Sequence, residues 1–333
     1  MSRDGQVGRA PLPLRVVHYG RRDPRGSTGG VEAFARRLAQ VFEQVEFAWP
    51  GSGSIDALVR DRAIVICDNH TALDWPADYP LVAFQHGVAW QKAWLTRTLT
   101  DARMAARQLL AARRPRTVWV ACAHWIARAF GRLHPGAPQH VVFHYVEPER
   151  FDGRRDAQGS TLVLHDARSP HKGQRQVELL QRALPQWRFE PLACKPDEVA
   201  ARMRKAAAFV HLSRYEGNSI VCNEAMAMDL PCIFTDVGLA RDAKLGLVEL
   251  DVALLDATRA FADDDYLVAS VGRELAMLPG TPPRSPRGFM LQHATPQAAR
   301  VAWAAAIEDL ARISGWRIDL GVAPTHGAAA AGA

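Results

Sequence analysis

Residues 210–237, VHLSRYEGNSIVCNEAMAMDLPCIFTDV, constrain the fold more than any other stretch of the chain. A short apolar run over residues 206–212 gives way to a polar, glycine-containing loop at 213–219, and a second apolar run begins at Pro231. This order reads as strand, loop, helix, strand, one βαβ unit of a sheet covered by helices. Asn218 or Ser219 suits the N-cap of a helix running from about Ile220 to Met228. The start of that helix would present unpaired backbone N–H groups and a positive dipole end beyond the strand's carboxyl edge, where a phosphate is well placed. Glu216 sits in the loop and Glu224 more than a turn inside the helix, on the Ile220 and Val221 face, so both can look into one crevice at different depths.

Ser213, Glu216, Gly217, Glu224, Ala225, Met226, Ala227, Pro231, Asp236, Val237 and Gly238 fall on a known signature. It is a Ser-x-x-Glu-Gly loop, seven residues between two glutamates, then Glu-Ala-Met-Ala-x-x-x-Pro. The chain thereby resembles the retaining glycosyltransferases of family 4 (glycosyl transferases group 1). The resemblance implies that Glu216 contacts a donor sugar and that Glu224 binds ribose hydroxyls. It also implies that backbone amides around Gly217, Asn218, Ser219 and Ile220 hold a diphosphate. The plain alternative is a capped helix with two solvated glutamates.

At 333 residues and 48% hydrophobic content the chain can bury two medium cores. A net charge of +6 suits acidic ligands generally, whether nucleotide, anionic lipid or nucleic acid. Five scattered cysteines without CxxC spacing read as reduced core residues of a cytosolic protein. No run of about 18 apolar residues and no apolar signal core predict a cytoplasmic protein that does not span a membrane. The Gly/Ala-rich residues 325–333 read as a flexible tail, taken here as part of 316–333.

Near the N-terminus a strand at 14–17 leads into the basic, Gly-rich loop 21–30 and a helix at about 31–42, with Val31, Phe34, Leu38 and Val41 at helical spacing. On the residues alone the Gly pair is an ordinary turn. In the resembling family a Gly-Gly-x-Glu segment lines the donor and acceptor cleft, and Gly29, Gly30 and Glu32 match it. Further strands are predicted at 63–67, 81–84, 117–122 and 140–144, the alternation of a doubly wound α/β domain. Several run out into histidines, His18, His70, His86, His124 and His144, which come from different strands without metal-ligand spacing. They read as polar strand ends, and no metal site is predicted. His86, before Gly87, stands at a carboxyl edge, where open α/β sheets bind ligands. The resemblance implies a donor-sugar contact there; a satisfied structural histidine is the alternative.

Residues 90–116 mix Trp90, Trp94, Leu95, Leu99, Met104, Leu109 and Leu110 with Lys92, Arg97, Arg103, Arg107, Arg113, Arg114 and Arg116. They read first as a packed helix with a solvated basic face, and second as a basic amphipathic helix lying on anionic lipid. No recognised nucleic-acid module accompanies them. Residues 144–151, HYVEPERF, resemble the family's hinge, placing a boundary near 150 between an acceptor-side domain (1–150) and a donor-binding domain (151–315).

The second domain opens with a strand at 161–164 and a helix at about 173–184. Where the family carries Gly-Arg-Leu-x-x-x-Lys-Gly, Lys172 and Gly173 match, but Asp166 and Ala167 stand at the Gly-Arg positions and an arginine arrives one step late, at Arg168. The resemblance implies that Lys172, with Arg168 reaching over, neutralises the diphosphate. Thr295 and Pro296 predict the start of a last helix, about 296–313, which in the resembling GT-B fold crosses back to the N-terminal domain. The expected architecture is α/β, GT-B, two Rossmann-like domains facing each other across a cleft.

The expected function is retaining transfer of a sugar from a UDP- or GDP-linked donor to a carbohydrate or lipid-linked acceptor hydroxyl, as in glycan, polysaccharide or glycolipid synthesis. No cofactor is expected beyond the nucleotide-sugar donor; the residues themselves predict no metal and no nucleic acid, with peripheral contact of the basic stretch 90–116 to anionic membrane as an option. The alternatives are a nucleotide-sugar-binding protein without turnover and a GT-B nucleotide-sugar epimerase.

Overall fold

The computed structural model describes residues 10–27, 29–133, 139–278 and 284–321. The first sheet has six parallel strands in the order β2-β1-β3-β4-β5-β6. They are β1 Leu12–Tyr19, β2 Phe42–Ala48, β3 Ile64–Asp68, β4 Leu81–Gln85, β5 Thr117–Ala121 and β6 Gln139–Val141. The helices between them are α1 Gly30–Arg37, α2 Ile55–Arg60, α3 Ala89–Thr96, α4 Leu99–Ala111 and α5 His124–Gly131. The helix predicted at 31–42 stops at Arg37, passes through a 3-10 turn at Leu38–Gln40 and enters edge strand β2. Phe34, Leu38 and Val41 still bury the face their spacing indicates, because the turn keeps them all under the sheet.

The basic stretch 90–116 is two helices rather than one. Arg97 adopts a left-handed conformation, φ 52°, which ends α3, and Thr98 restarts the chain as the N-cap of α4 by accepting from the Asp101 N–H.

The second sheet is five parallel strands in the order β11-β10-β9-β7-β8. They are β7 Leu162–His165, β8 Arg188–Pro191, β9 Ala208–His211, β10 Cys232–Thr235 and β11 Ala253–Leu255. Its helices are α6 Gln174–Ala183, α7 Val199–Arg204, α8 Ile220–Ala227, α9 Leu239–Lys244, α10 Ala257–Ala262 and α11 Asp264–Met277, followed by α12 Arg287–His293. Phe209 of β9 joins the core on one face of this sheet, and Ala208 and Val210 join the core on the other. Burial on both faces is why this strand is apolar throughout instead of alternating.

The last helix, α13 Pro296–Ser314, begins at Thr295, whose hydroxyl accepts from the Ala298 N–H at 3.1 Å, and ends at Gly315 in the left-handed region. It packs on the first sheet: Trp303, Ile307 and Leu310 are fully buried there, with the Trp303 ring against Phe84 and Phe42. The chain thus returns to the first core after completing the second. All five cysteines are free thiols, four of them buried. Among the described residues no helix is long and apolar enough to cross a membrane. Residues 322–333, which include most of the expected tail, lie outside the described residues.

Candidate active site in the interdomain cleft

The carboxyl edges of the two sheets meet at the loop between β9 and α8. Ser213 opens this loop, its N–H donating to the Thr235 hydroxyl at 2.9 Å and its hydroxyl to the Tyr215 carbonyl at 2.8 Å. Beside it a short turn at Pro170–Lys172 ends in Gly173, φ 77°, where a Cβ would lie 2.4 Å from the Leu212 carbonyl oxygen. Only glycine lets Lys172 come this close to the end of β9.

Lys172 Nζ donates to Glu216 Oε2 at 2.5 Å and stands 3.5 Å from Asp166 Oδ2. Asp166 in turn accepts from His211 Nδ1 at 2.6 Å. The His211 Nε2 is buried without a hydrogen-bond partner and lies 3.9 Å from Glu216 Oε2. Two acids and two bases therefore share one small volume. Burial alone would raise Asp166, but His211 and Lys172 beside it hold its carboxyl well below the usual range. Burial likewise opposes charge on His211 and Lys172, yet Asp166 raises His211, and Glu216 with Asp166 raises Lys172, above their ordinary values. Asp166, His211 and Lys172 are consequently ionised at neutral pH.

Sequence reasoning treated Asp166 only as a departure from a pattern and did not single out His211. No local signal marks the pair: residues 45 apart meet only because β7 and β9 are neighbours. Arg168 is not brought to the cluster. It is exposed, and its Nη2 donates to the Leu192 carbonyl at 2.8 Å, beyond the end of β8.

Ser219 occupies the N-cap position of α8, without a capping bond from its side chain, and Ser219 and Ile220 are half-buried at the helix mouth. The side chain of Asn218 turns to the other domain, donating to the Cys122 carbonyl at 2.8 Å. Glu224 is buried, and its Oε1 accepts from Arg37 Nη2 at 2.5 Å, at the end of α1. Burial pushes the Glu224 carboxyl up against the pull of Arg37. Gly29 and Gly30 lie at the opposite end of α1, where Gly29 is the N-cap and Arg22 is paired with Glu32 at 2.6 Å.

His86 is held at both ring nitrogens. Its Nε2 bonds Asp68 Oδ1 at 2.9 Å, the same oxygen that His18 Nε2 meets at 3.0 Å. Its Nδ1 faces His144 Nε2 at 3.3 Å, and the His144 Nδ1–H donates to the Asn218 carbonyl at 2.8 Å. Three of the strand-end histidines read as separate are thus one chain of hydrogen bonds running from the first sheet to the donor-side loop. Burial drives His144 down to about 3, so it is neutral and its Nε2 accepts from His86. Burial works against the Asp68 carboxylate, but His18 and His86 hold it well below the usual range. Among the described residues no group of three or more His, Cys, Asp or Glu is placed to hold a metal ion.

The two domains touch closely around this chain. A Cβ on Gly217 would lie 1.7 Å from the His86 carbonyl oxygen. The Val88 N–H donates to the Tyr215 hydroxyl at 2.6 Å, and Trp125 Nε1–H to the Gly217 carbonyl at 3.3 Å. Asp242 of α9 accepts from the backbone N–H groups of His124 and Trp125, capping α5 across the cleft. Next to these contacts a cleft of about 550 Å³ remains open, lined by Trp90, Trp94, Trp125, Arg214, Glu216 and Arg241 among others. Glu216 is the point at which this cleft meets the charged cluster.

Residues 165–264 match the family model of glycosyl transferases group 1. No curated protein matches the sequence. Among solved structures, sucrose-phosphate synthase from Thermosynechococcus elongatus superposes with a TM-score of 0.66 at 13% identity, over 89% of this chain and 99% of that one. HepE from Anabaena in complex with UDP gives 0.61 at 15% identity over 89% and 100%. The UDP-forming α,α-trehalose-phosphate synthase from Burkholderia vietnamiensis gives 0.59 at 12% over 89% and 98%. The fold is the GT-B architecture of glycosyltransferases, two parallel-sheet domains facing across a cleft.

Proposed function

From the glycosyl transferases group 1 match over residues 165–264, we propose that this protein is a glycosyltransferase that moves a sugar from a nucleotide diphosphate to an acceptor hydroxyl with retention. The observation that carries the reading is the contact of Lys172 with Glu216 at the mouth of α8, a cation and a carboxylate side by side at the domain junction. In the transfer, the bond from the sugar's anomeric carbon to the diphosphate oxygen breaks and its electron pair stays on the diphosphate. The acceptor oxygen bonds the anomeric carbon and gives its proton to the departing group. Charge grows on the phosphate oxygens, which Lys172 and the α8 N–H groups meet by preorganised attraction, with His211 close behind. A phosphate competes with Glu216 for Lys172, and the released Glu216 faces the sugar, where its charge favours the oxocarbenium character of the transition state.

Glu224 is assigned to the ribose, in exchange for its Arg37 partner. These cations make a divalent ion unnecessary for leaving-group stabilisation, so turnover is expected to survive EDTA. The UDP complex of HepE and the UDP-forming trehalose-phosphate synthase among the structural neighbours support a UDP-linked donor first and a GDP-linked one second.

The direct test is incubation with UDP- and GDP-sugars and a panel of acceptors. Release of nucleoside diphosphate only in the presence of acceptor is the expected result; binding without release would indicate a non-catalytic binder, and a new sugar without release an epimerase. Lys172→Ala is expected to lower kcat by about a hundredfold or more, the usual cost of one preorganised donor. Glu224→Ala is expected to weaken nucleotide binding in calorimetry by about ten- to a hundredfold, corresponding to roughly 1.5 to 3 kcal/mol for charge-assisted bonds. Unchanged nucleotide affinity would remove Glu224 from the site.

A further inference from the structure

Helix α4 buries Ala105 and Ala111 together with two polar side chains, and the α3–α4 pair leaves large apolar side chains outside. The inward face of α4 holds Asp101 and Gln108, both buried, and the Gln108 side chain donates to Gln85 and to the Gly87 carbonyl and accepts from the Ala89 N–H. The outward positions Leu99, Arg103, Ala106 and Leu110, at helical spacing, are all exposed, Leu99 at 78% and Leu110 at 55%. Trp94 on α3 is 78% exposed as well, and Leu95 beside it is also exposed. Isolated apolar side chains on a surface are ordinary, but a largely exposed tryptophan and three exposed leucines on two adjoining helices are an unpartnered apolar surface.

Charge decides what covers it. Arg97, in the turn between the helices, and Arg103, on the same face as Leu99, are exposed and have no ion-pair partner among the described residues. The pair's acid, Asp101, faces inward and is held by Thr96, Thr98 and Lys92. The exposed side is therefore apolar and purely cationic, the complement of an anionic lipid surface, where tryptophan sits at the headgroup level and arginine meets phosphate. The face is also continuous with the cleft: Trp94 and Leu95 form its outer rim, Trp90 and Trp125 its walls, and Glu216 its inner end.

We propose that the outer face of α3 and α4 docks on anionic membrane and that the tryptophan-lined cleft delivers a lipid-linked acceptor from that surface to Glu216. The docking stands on the surface itself; the acceptor class rests on the transfer reading above. Trp94 is then an acceptor-side binding residue, while Leu99, Arg97 and Arg103 act at the membrane and not on donor or sugar.

The test is co-sedimentation of the full chain with phosphatidylcholine–phosphatidylglycerol vesicles, against phosphatidylcholine alone, over a range of salt. Binding to the anionic vesicles that fades as salt rises is expected. Arg97→Glu with Arg103→Glu should weaken it by at least about twentyfold, taking roughly a factor of five per basic residue lost, and Leu99→Ser should weaken it too. Both variants should keep UDP or GDP affinity in calorimetry, which shows that they fold and separates this proposal from the donor reading. No binding to anionic vesicles at low salt, equal binding to neutral vesicles, or undiminished binding by the variants would each overturn docking. So would self-association in sedimentation velocity that Leu99→Ser abolishes, since the face would then be covered by a second copy. With docking intact, equal turnover on soluble and lipid-linked acceptors would overturn the acceptor assignment.

Discussion

Asp166 shows how one substituted position can reorganise a site. Where the resembling family has glycine, a carboxylate holds His211 at 2.6 Å and draws Lys172 to 3.5 Å, so that a second cation stands behind the first. Arg168, the residue sequence reasoning favoured as that second cation, is engaged with the Leu192 carbonyl. The two assignments give opposite mutational outcomes. If His211 supplies the charge, His211→Gln should lower kcat by about a hundredfold with a smaller change in KM, because charge on the leaving group grows in the transition state. Arg168→Ala should stay close to wild type. Steady-state kinetics on both variants decides, and a large loss for Arg168→Ala alone would restore the arginine. Glu216 and Glu224 were legible in the sequence because their spacing is local to a loop and a helix, and Lys172 was marked only by the family resemblance at Lys172 and Gly173. Asp166 with His211, and Asp68 with His18, His86 and His144, were not, because those partners come from different strands.

At the scale of elements, α5 begins under a cap from the opposite domain. Asp242 accepts from the N–H groups of His124 and Trp125 at 2.8 and 2.7 Å, yet burial outweighs these bonds and raises its carboxyl from 3.8 to about 6. A raised carboxyl means that the folded protein holds its proton more tightly than the unfolded chain does. Its contribution to stability is therefore full below pH 3.8 and is lost as the pH rises through about 6. Wild type should lose on the order of 2 kcal/mol relative to Asp242→Asn across that window, read from urea unfolding at several pH values. Parallel pH profiles for the two proteins would show that Asp242 does not titrate there. The break of residues 90–116 into α3 and α4 is also an element-level fact that periodicity could not show. The left-handed Arg97 leaves no mark in the apolar pattern, and the faces of α4 were assigned by what lies beneath it.

For the whole molecule the decisive feature is how closely the two carboxyl edges approach. Gly217 lies directly under the His86 carbonyl, so Gly217→Ala must push the loop and the first domain apart. Overpacking of this kind costs about 1 to 3 kcal/mol. The variant should show a larger radius of gyration in small-angle scattering and impaired transfer, with nucleotide binding changed less. An unchanged scattering profile would mean that the loop yields locally and the domains do not part. The amino-acid order by itself determined the α/β class, the central strand-loop-helix-strand unit with Glu216 and Glu224 in it, and the final helix with its Thr295 cap. Those features depend on residues near one another in the chain, where hydrogen-bonding period and turn chemistry suffice. Only the tertiary structure decided that His86 pairs with Asp68, that Glu224 meets Arg37, and that Trp94 and Leu99 are left uncovered. Each depends on which strands neighbour one another and which helix faces are covered, and pairing across sheets and domains carries no signature in the local sequence.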